Sequence, residues 1–431
     1  MSRLLSELGI NPQIQQALNE LKITEATDIQ EQVIPIILNQ NEDIVALAKT
    51  GTGKTAAFGL PLLQMVDTQN DSIQTLILSP TRELSQQIYT NLMDYAKHSP
   101  EVSITLLSGG APIKTQVEEL KSPTHIVVAT PGRFLDLVEK NALDIKSLKN
   151  LVLDEADEMF QALKDDLMPI LKALPKKRRT LLFSATMPGD LKDIVHNYMS
   201  KSAVSVNSDM ATIGHEGIDH QYLVVEPIEK LDVLLHFLST QEGGRGIIFC
   251  KTKAAVNKLA KNLAIRKISS GALHGSLSQG IRDRIMDQFR EGHIDILVAT
   301  DLVARGIDVK ELSYIVNYHL PDTHEAYVHR SGRTGRAGAK GLSMTIIQKE
   351  EVEEIAGFEK ELGIHFKPVE KANADDIEEN NTLVWAKKVF KTKPNRQMPE
   401  ELKAQVKTIF HHLTKDELIE KVLANYWREN N

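Results

Sequence analysis

Two short strings constrain this chain more than anything else in it. Ala48-Lys49-Thr50-Gly51-Thr52-Gly53-Lys54-Thr55 follows the apolar run Ile44-Val45-Ala46-Leu47 and leads into helical spacing from Thr55 to Met65. Downstream, the apolar run Leu151-Val152-Leu153 passes directly into Asp154-Glu155-Ala156-Asp157. The first string fits the phosphate-loop pattern, in which backbone amides and a lysine surround phosphate oxygens and a hydroxyl serves a magnesium ion. A strand, a loop and a helix in that order turn unpaired amides and the positive end of a helix dipole toward an anion. Lys54 and Thr55 fill the lysine and hydroxyl positions, and Thr50, Gly51, Thr52 and Gly53 form the cradle. Ala48 stands where the general pattern begins with Gly, but Gly51 and Gly53 still allow close backbone approach. A glycine-rich turn with a chance lysine is the bland alternative, and the flanking strand and helix count against it.

Asp154 is expected at the carboxyl end of a strand, where an open parallel sheet presents side chains to a ligand crevice. A carboxylate there can hold magnesium, largely through water. Glu155 can orient or deprotonate an attacking water, because phosphoryl transfer needs positioning more than covalent chemistry. Alone, the tetrapeptide would more often be an exposed helix start; its place after an apolar strand reverses that reading.

Composition bounds the rest. With 431 residues, 42% of them hydrophobic, the chain has material for two or three domains. Its one cysteine, Cys250, rules out a disulfide framework and a cysteine-based metal site, and its apolar neighbours Gly246 to Phe249 indicate a buried strand thiol. No charged-then-apolar leader and no long apolar stretch is found, so a soluble cytoplasmic protein without membrane contact is expected. The net charge of −7 decides little about nucleic acid, since local patches govern such binding.

Apolar runs alternate with amphipathic segments twice along the chain. Strands are expected near 74–79, 102–106, 126–129, 151–154 and 180–183, and again near 222–225, 246–250, 269–273, 294–299, 314–318 and 343–347. Two similar α/β domains follow, each a mostly parallel sheet flanked by helices, at 1–206 and 220–368, with a polar linker at 207–219 and a tail at 369–431. Only the first has a phosphate loop. The second has His329-Arg330-Ser331-Gly332-Arg333-Thr334-Gly335-Arg336-Ala337-Gly338, with arginines every third residue. Such arginines can reach phosphate oxygens across a cleft as arginine fingers. A flexible basic loop that binds nucleic acid is the other reading.

In order along the chain stand Thr27-Asp28-Ile29-Gln30, the two strings above, Pro80-Thr81-Arg82-Glu83-Leu84, Gly109-Gly110, Thr130-Pro131-Gly132-Arg133, Ser184-Ala185-Thr186, Gln279 with Arg282, Ala299-Thr300-Asp301 through Arg305-Gly306-Ile307-Asp308, and the arginine loop. Each is weak alone, but together they make the chain resemble a DEAD-box ATP-dependent RNA helicase of superfamily 2, from about Leu5 to Pro368. The resemblance implies two tandem RecA-like domains, ATP and Mg2+ as cofactors, and RNA as partner, with ribonucleoprotein or ribosomal components beside it and a monomeric chain.

It also implies roles. Gln30 would hydrogen-bond the adenine edge, Gly306 and Asp308 would face the ribose, and Thr55 and Asp154 would serve the metal. Lys54, Asp154, Glu155, Arg333 and Arg336 would carry catalysis. Pro80, Thr81, Arg82, Gly109, Gly110, Thr130, Gly132, Arg133, Gln279, Arg282 and Thr300 would contact single-stranded RNA by its backbone, without reading bases. Asp157, Ser184, Thr186, Arg305 and His329 would couple the domains, so that closure bends one strand out of a short duplex and hydrolysis reopens the cleft. A DNA translocase and an RNA clamp whose unwinding is incidental are the rival functions. Intact Glu155, Arg333 and Arg336 count against a catalytically dead scaffold, and Gln30 with the acidic tetrapeptide counts against the translocase.

The tail carries Trp385 and Phe390 among lysines, which suits an auxiliary RNA contact; aromatics at helical spacing more often pack, here onto the second domain. Two helices are expected near 399–412 and 415–427, with Thr414 capping the second. Lys176 to Arg179 is expected as a solvated turn. Near the start, Lys22-Ile23 and Leu5 replace the family's usual glycine-aromatic pair and upstream aromatic, and Ala26 a usual proline. Aliphatic Ile23 lacks the stacking geometry of an aromatic ring. Ile23→Phe is therefore expected to tighten ATP binding by about 1 kcal/mol, measured by nucleotide titration; unchanged affinity would refute this.

Overall fold

A computed structural model describes residues 3–48, 51–208, 217–241, 243–301, 312–335, 339–371 and 398–430, with scattered positions between 379 and 393. The first sheet contains β1 (Ile44–Leu47), β2 (Thr75–Leu78), β3 (Ile104–Leu107), β4 (Ile126–Ala129), β5 (Asn150–Leu153), β6 (Arg179–Ser184) and β7 (Val204–Asn207). They pair in the order β3-β4-β2-β5-β6-β1-β7, all parallel. The second sheet contains β8 (Ile218–Val224), β9 (Gly246–Phe249), β10 (Ser270–Leu273), β11 (Ile296–Ala299), β12 (Tyr314–Asn317), β13 (Gly341–Ile347) and β14 (Lys367–Pro368). Its order, β10-β11-β9-β12-β13-β8-β14, repeats the first strand for strand, again all parallel.

Helices cover both faces of each sheet, which is why the strands read as continuous apolar runs. In β5, Val152 joins Ile77 and Phe183 in the core on one face, whereas Leu151 and Leu153 join Leu182 and Phe134 on the other. The helix Lys54–Gln64 after the phosphate loop is anchored by Phe58 against Phe183, with ring centroids 5.1 Å apart. The interior strands fall within a few residues of their expected places. The edge strands β7 and β14 escape the pattern because they are short and carry no apolar run. Asn207 closes β7 and Ile218 opens β8, so both sheets reach into the polar segment between them.

Three expectations are corrected or sharpened. Arg179 is not solvated: it opens β6, is buried, and donates from Nε to Glu42 O (2.7 Å), from Nη1 to Ile37 O (2.9 Å) and from Nη2 to Ile36 O (3.2 Å). Those carbonyls lie at and beyond the end of the helix Asp28–Asn39, where a cation also meets the negative end of the helix dipole. In the tail, Trp385 stacks on Tyr426 of the last helix with centroids 4.2 Å apart, while Phe390 is 90% exposed; this replaces the expected packing of both onto the second domain. The tail helices occupy Glu400–Phe410 and Lys415–Asn430. Thr414 caps the second, its Oγ1 accepting from Glu417 N while Glu417 Oε2 accepts from Thr414 N.

Lys22 is an unusual stop signal. It follows the helix Pro12–Glu20 in the left-handed region at φ 59, with its N–H on Asn19 O and the Ile23 N–H on Leu18 O. That is a Schellman ending, which favours glycine at the left-handed position and an apolar contact from the next residue. Ile23 makes that contact with the core. Lys267, at φ 58, ends the helix Lys253–Ile265 in the same way. A side chain in this conformation costs about 1–2 kcal/mol, partly offset by the greater entropy glycine loses on folding. Lys22→Gly and Lys267→Gly should each raise stability by about 0.5–1 kcal/mol in denaturant unfolding; a loss at both sites would show that neither backbone is strained.

Candidate functional site

The phosphate loop leaves β1 and enters its helix through Gly53, at φ 89, with Gly51 at φ 86. A Cβ on Gly53 would stand 2.3 Å from Gln30 Nε2, so the glycine is needed both for its conformation and for this approach. Gln30 is buried in the first turn of the helix Asp28–Asn39; its Oε1 accepts from Thr27 N (3.0 Å) and its Nε2 donates to Gly53 O (3.1 Å). The expected nucleobase contact is thus attached mechanically to the phosphate loop, a link that the spacing of the two strings does not reveal.

Lys54 is buried, with Nζ 3.2 Å from Ala48 O and 3.1 Å from Glu155 Oε1. Burial alone would lower its pKa, but Glu155, Asp154 and Asp157 outweigh that and hold the ammonium above its ordinary range. Asp154 follows β5 and donates its N–H to Leu78 O. Burial, reinforced by Glu155 and Glu158, pushes its carboxyl up to about 7 against the pull of Lys54. Such a group is short of positive charge and suits a divalent cation shared with phosphate, as magnesium uses few protein ligands. Glu155 itself sits in the left-handed region at φ 50, ahead of the helix Ala156–Ala162. Non-glycine residues held there cluster at functional sites.

Asp157 reaches across to the second sheet's domain. Its Oδ2 accepts from Thr186 Oγ1 (2.6 Å) and Thr186 N (2.9 Å) and lies 3.4 Å from His329 Nε2. Ser184 Oγ accepts from Asp157 N (3.2 Å) and donates to Thr186 O (2.7 Å). Burial would raise the Asp157 pKa, but the bonds from His329 and Thr186 hold it well below the usual carboxylate range. His329 lies on the helix His324–Ser331. Arg333, also buried, turns its Nε onto His329 O at 3.2 Å. Arg330, which the sequence did not single out, grips Asp301 through Nε (2.6 Å) and Nη2 (2.7 Å) and also reaches Asn317 and His319 O. Its place in the three-residue arginine rhythm was the available signal, but it points inward and fixes the helix that carries His329.

A second meeting of the domains lines a cleft of about 970 Å³. Arg82 Nη1 donates to Gln279 Oε1 (3.2 Å), and Arg282 Nη2 lies 2.8 Å from Glu83 Oε1. A Cβ on Gly109 would stand 2.3 Å from Arg82 Nη2, and one on Gly110 would stand 3.2 Å from Gln279 Cγ. Arg133 Nη1 donates to Ala111 O and Gln116 Oε1 at the cleft wall. Thr81 caps the helix Arg82–Tyr95, Thr130 precedes the helix Pro131–Glu139, with Gly132 against Asp166, and Thr300 follows β11. These residues, Pro80, Arg133 and Arg282 are not among the cleft's lining. Thr50, Arg305, Gly306, Asp308 and Arg336 lie outside the described residues. Among the described residues, no helix is long and apolar enough to cross a membrane.

Residues 27–194 match the DEAD/DEAH box helicase family, residues 229–338 the helicase conserved C-terminal domain, and residues 377–426 the helical domain of a probable ATP-dependent RNA helicase. The chain is 39% identical over 372 residues to the ATP-dependent RNA helicase CshA of Limosilactobacillus reuteri, covering 86% of this chain and 74% of the relative. Its fold matches that of S. cerevisiae Dbp5 bound to RNA and ADP BeF3, with a TM-score of 0.80, 30% identity, and coverage of 89% of this chain and 100% of that one. Against a Dbp5 variant bound to Nup159, Gle1, IP6 and ADP the TM-score is 0.60, at 29% identity over 88% of this chain and 100% of that one. With both helicase domains matched in order on a duplicated parallel-sheet fold, the chain belongs to the DEAD-box family of ATP-dependent RNA helicases.

Proposed function

We propose that this helicase converts ATP binding into closure of its two domains on single-stranded RNA, and that closure separates short duplexes locally or remodels ribonucleoprotein complexes. The observation that carries this reading is the buried Asp157–His329 pair, which spans the domains three residues from the Asp154 carboxylate. Support also comes from the two Dbp5 comparisons. The same yeast protein fits this chain better when bound to RNA and ADP BeF3 than in the other complex, a difference in keeping with a domain arrangement of the RNA-bound kind.

The proposed division of labour joins the observed contacts to the roles that the family motifs imply. Lys54 leaves Glu155 for the β- and γ-phosphates, which frees Glu155 to position the attacking water. Thr55 and Asp154 would hold magnesium, which when bound would neutralise charge on the phosphates. Gln30 contacts the adenine edge, with Gly306 and Asp308 facing the ribose, while Arg333 and Arg336 meet the developing charge on the γ-phosphate. Arg82, Gly109, Gly110 and Gln279 hold the RNA backbone at the 970 Å³ cleft, and Arg282, Pro80, Thr81, Thr130, Gly132, Arg133 and Thr300, which lie outside its lining, continue the RNA path. Asp157, Ser184, Thr186, Arg305 and His329 transmit closure between the two sites. The domains divide at 1–206 and 220–368, with the tail beyond. Cys250 is a buried free thiol, which accords with a reducing, cytoplasmic setting.

Steady-state ATP hydrolysis with single-stranded RNA, with DNA and with neither tests this reading. RNA should stimulate and DNA should not, and Glu155→Gln should lower the stimulated kcat by about 100-fold or more. Hydrolysis indifferent to RNA would leave a nucleotide switch with no coupling between the domains.

A further inference from the structure

His329 faces a second buried carboxylate besides Asp157. Its Nε2 lies 3.4 Å from Asp157 Oδ2 and its Nδ1 lies 3.4 Å from Glu158 Oε1, with all three side chains buried. Both acidic residues belong to the first turn of the helix Ala156–Ala162, and Asp157 Oδ1 accepts from Glu158 N at 3.1 Å. A neutral imidazole has one N–H and one lone pair, so in this cage one carboxylate would confront a lone pair away from water. Only the imidazolium offers a proton to each side.

We propose that Glu158 is a positioning residue for His329: with Asp157 it encloses the imidazole, so that closure of the cleft selects the doubly protonated ring and takes up a proton from solvent. This rests on the reading that Asp157 and His329 couple the domains, and adds a residue and a proton to it. The surroundings favour the cation. Glu155 adds negative potential, Thr186 is neutral, Arg330 on the same helix is neutralised by Asp301, and Arg333 is turned onto the His329 carbonyl. Burial by itself would lower the imidazole pKa, but Glu158 and Asp157 outweigh it and hold the ring above its ordinary value. In the open protein, away from both carboxylates, the ring would return to the ordinary imidazole pKa. The contact therefore contributes fully to closure below that value and is lost as pH rises through the higher, closed-state value.

Two readouts test this. The first is the proton count on binding single-stranded RNA in the presence of ADP BeF3, by calorimetry at pH 8 in two buffers of different ionisation enthalpy. The second is the pH profile of RNA-stimulated hydrolysis. Wild type should take up a measurable fraction of a proton. Glu158→Gln should at least halve that fraction and move the alkaline limb of activity down by about one pH unit, mostly through the KM for RNA, and Glu158→Asp, which keeps the charge, should move the limb back. Equal losses in both variants at every pH would mean a merely structural side chain and overturn the proposal, as would an unmoved limb. Should Glu158→Gln fail to fold, the wild-type proton count decides, and no uptake at pH 8 refutes it. Hydrolysis indifferent to RNA at every pH would sink the coupling reading, while the proton count would still judge Glu158.

Discussion

Four acidic side chains within five positions, Asp154, Glu155, Asp157 and Glu158, are all buried, and the rest of the structure is arranged around that concentration of negative charge. Buried charge is costly unless paired and hydrogen-bonded. The first domain supplies one counter-charge, Lys54 on Glu155. The second supplies another, His329 on Asp157 and Glu158. Thr186 and Ser184 complete the hydrogen bonding within the first domain. Were the domains to part, Asp157 and Glu158 would lose the imidazole and have to find water instead. One electrostatic requirement thus links the nucleotide loop, the helix bearing His329 and the relative position of the two sheets.

The duplicated fold makes this possible. Both sheets run in the same order, so each presents a crevice at the carboxyl ends of its strands, but the phosphate-loop sequence belongs to the first. The second contributes side chains to its neighbour's crevice, held by the Arg330–Asp301 clamp, whose guanidinium also lies over the Phe249 ring. At the 970 Å³ cleft the same division recurs: Gly109 and Gly110 of the first domain keep clear the space in which Arg82 meets Gln279 of the second.

Much of this was legible in the sequence because the informative residues sit at fixed offsets from apolar strands. The phosphate loop after Leu47 and the acidic string after Leu153 could be placed from their residue patterns at the ends of apolar runs, and the interior strands followed from their buried runs. What escaped depends on direction rather than on type. Arg179 looks like one more member of a basic turn, yet it opens a strand whose start lies beside a helix end, so it turns inward to the carbonyls. Arg330 and Arg333 share a rhythm but differ in partner, since the helix points Arg330 at Asp301. Lys22 and Lys267 occupy left-handed positions that composition would assign to glycine. The contact of Gln30 with Gly53 and that of Glu158 with His329 join residues far apart in the chain, and spacing carries no record of either.

If buried charge pairing between the domains holds the closed state, removing one partner should weaken closure. Cys250 is buried, with its thiol pushed up to about 12, so dyes can be attached at cysteines introduced on the surface of each domain without labelling it. Energy transfer between those dyes, with ADP BeF3 and single-stranded RNA present, should report a closed population in wild type. In Asp157→Asn the midpoint RNA concentration should rise at least about tenfold, as loss of one partner from a buried pair implies. Closure equally complete in that variant, at the same RNA concentration, would contradict the account.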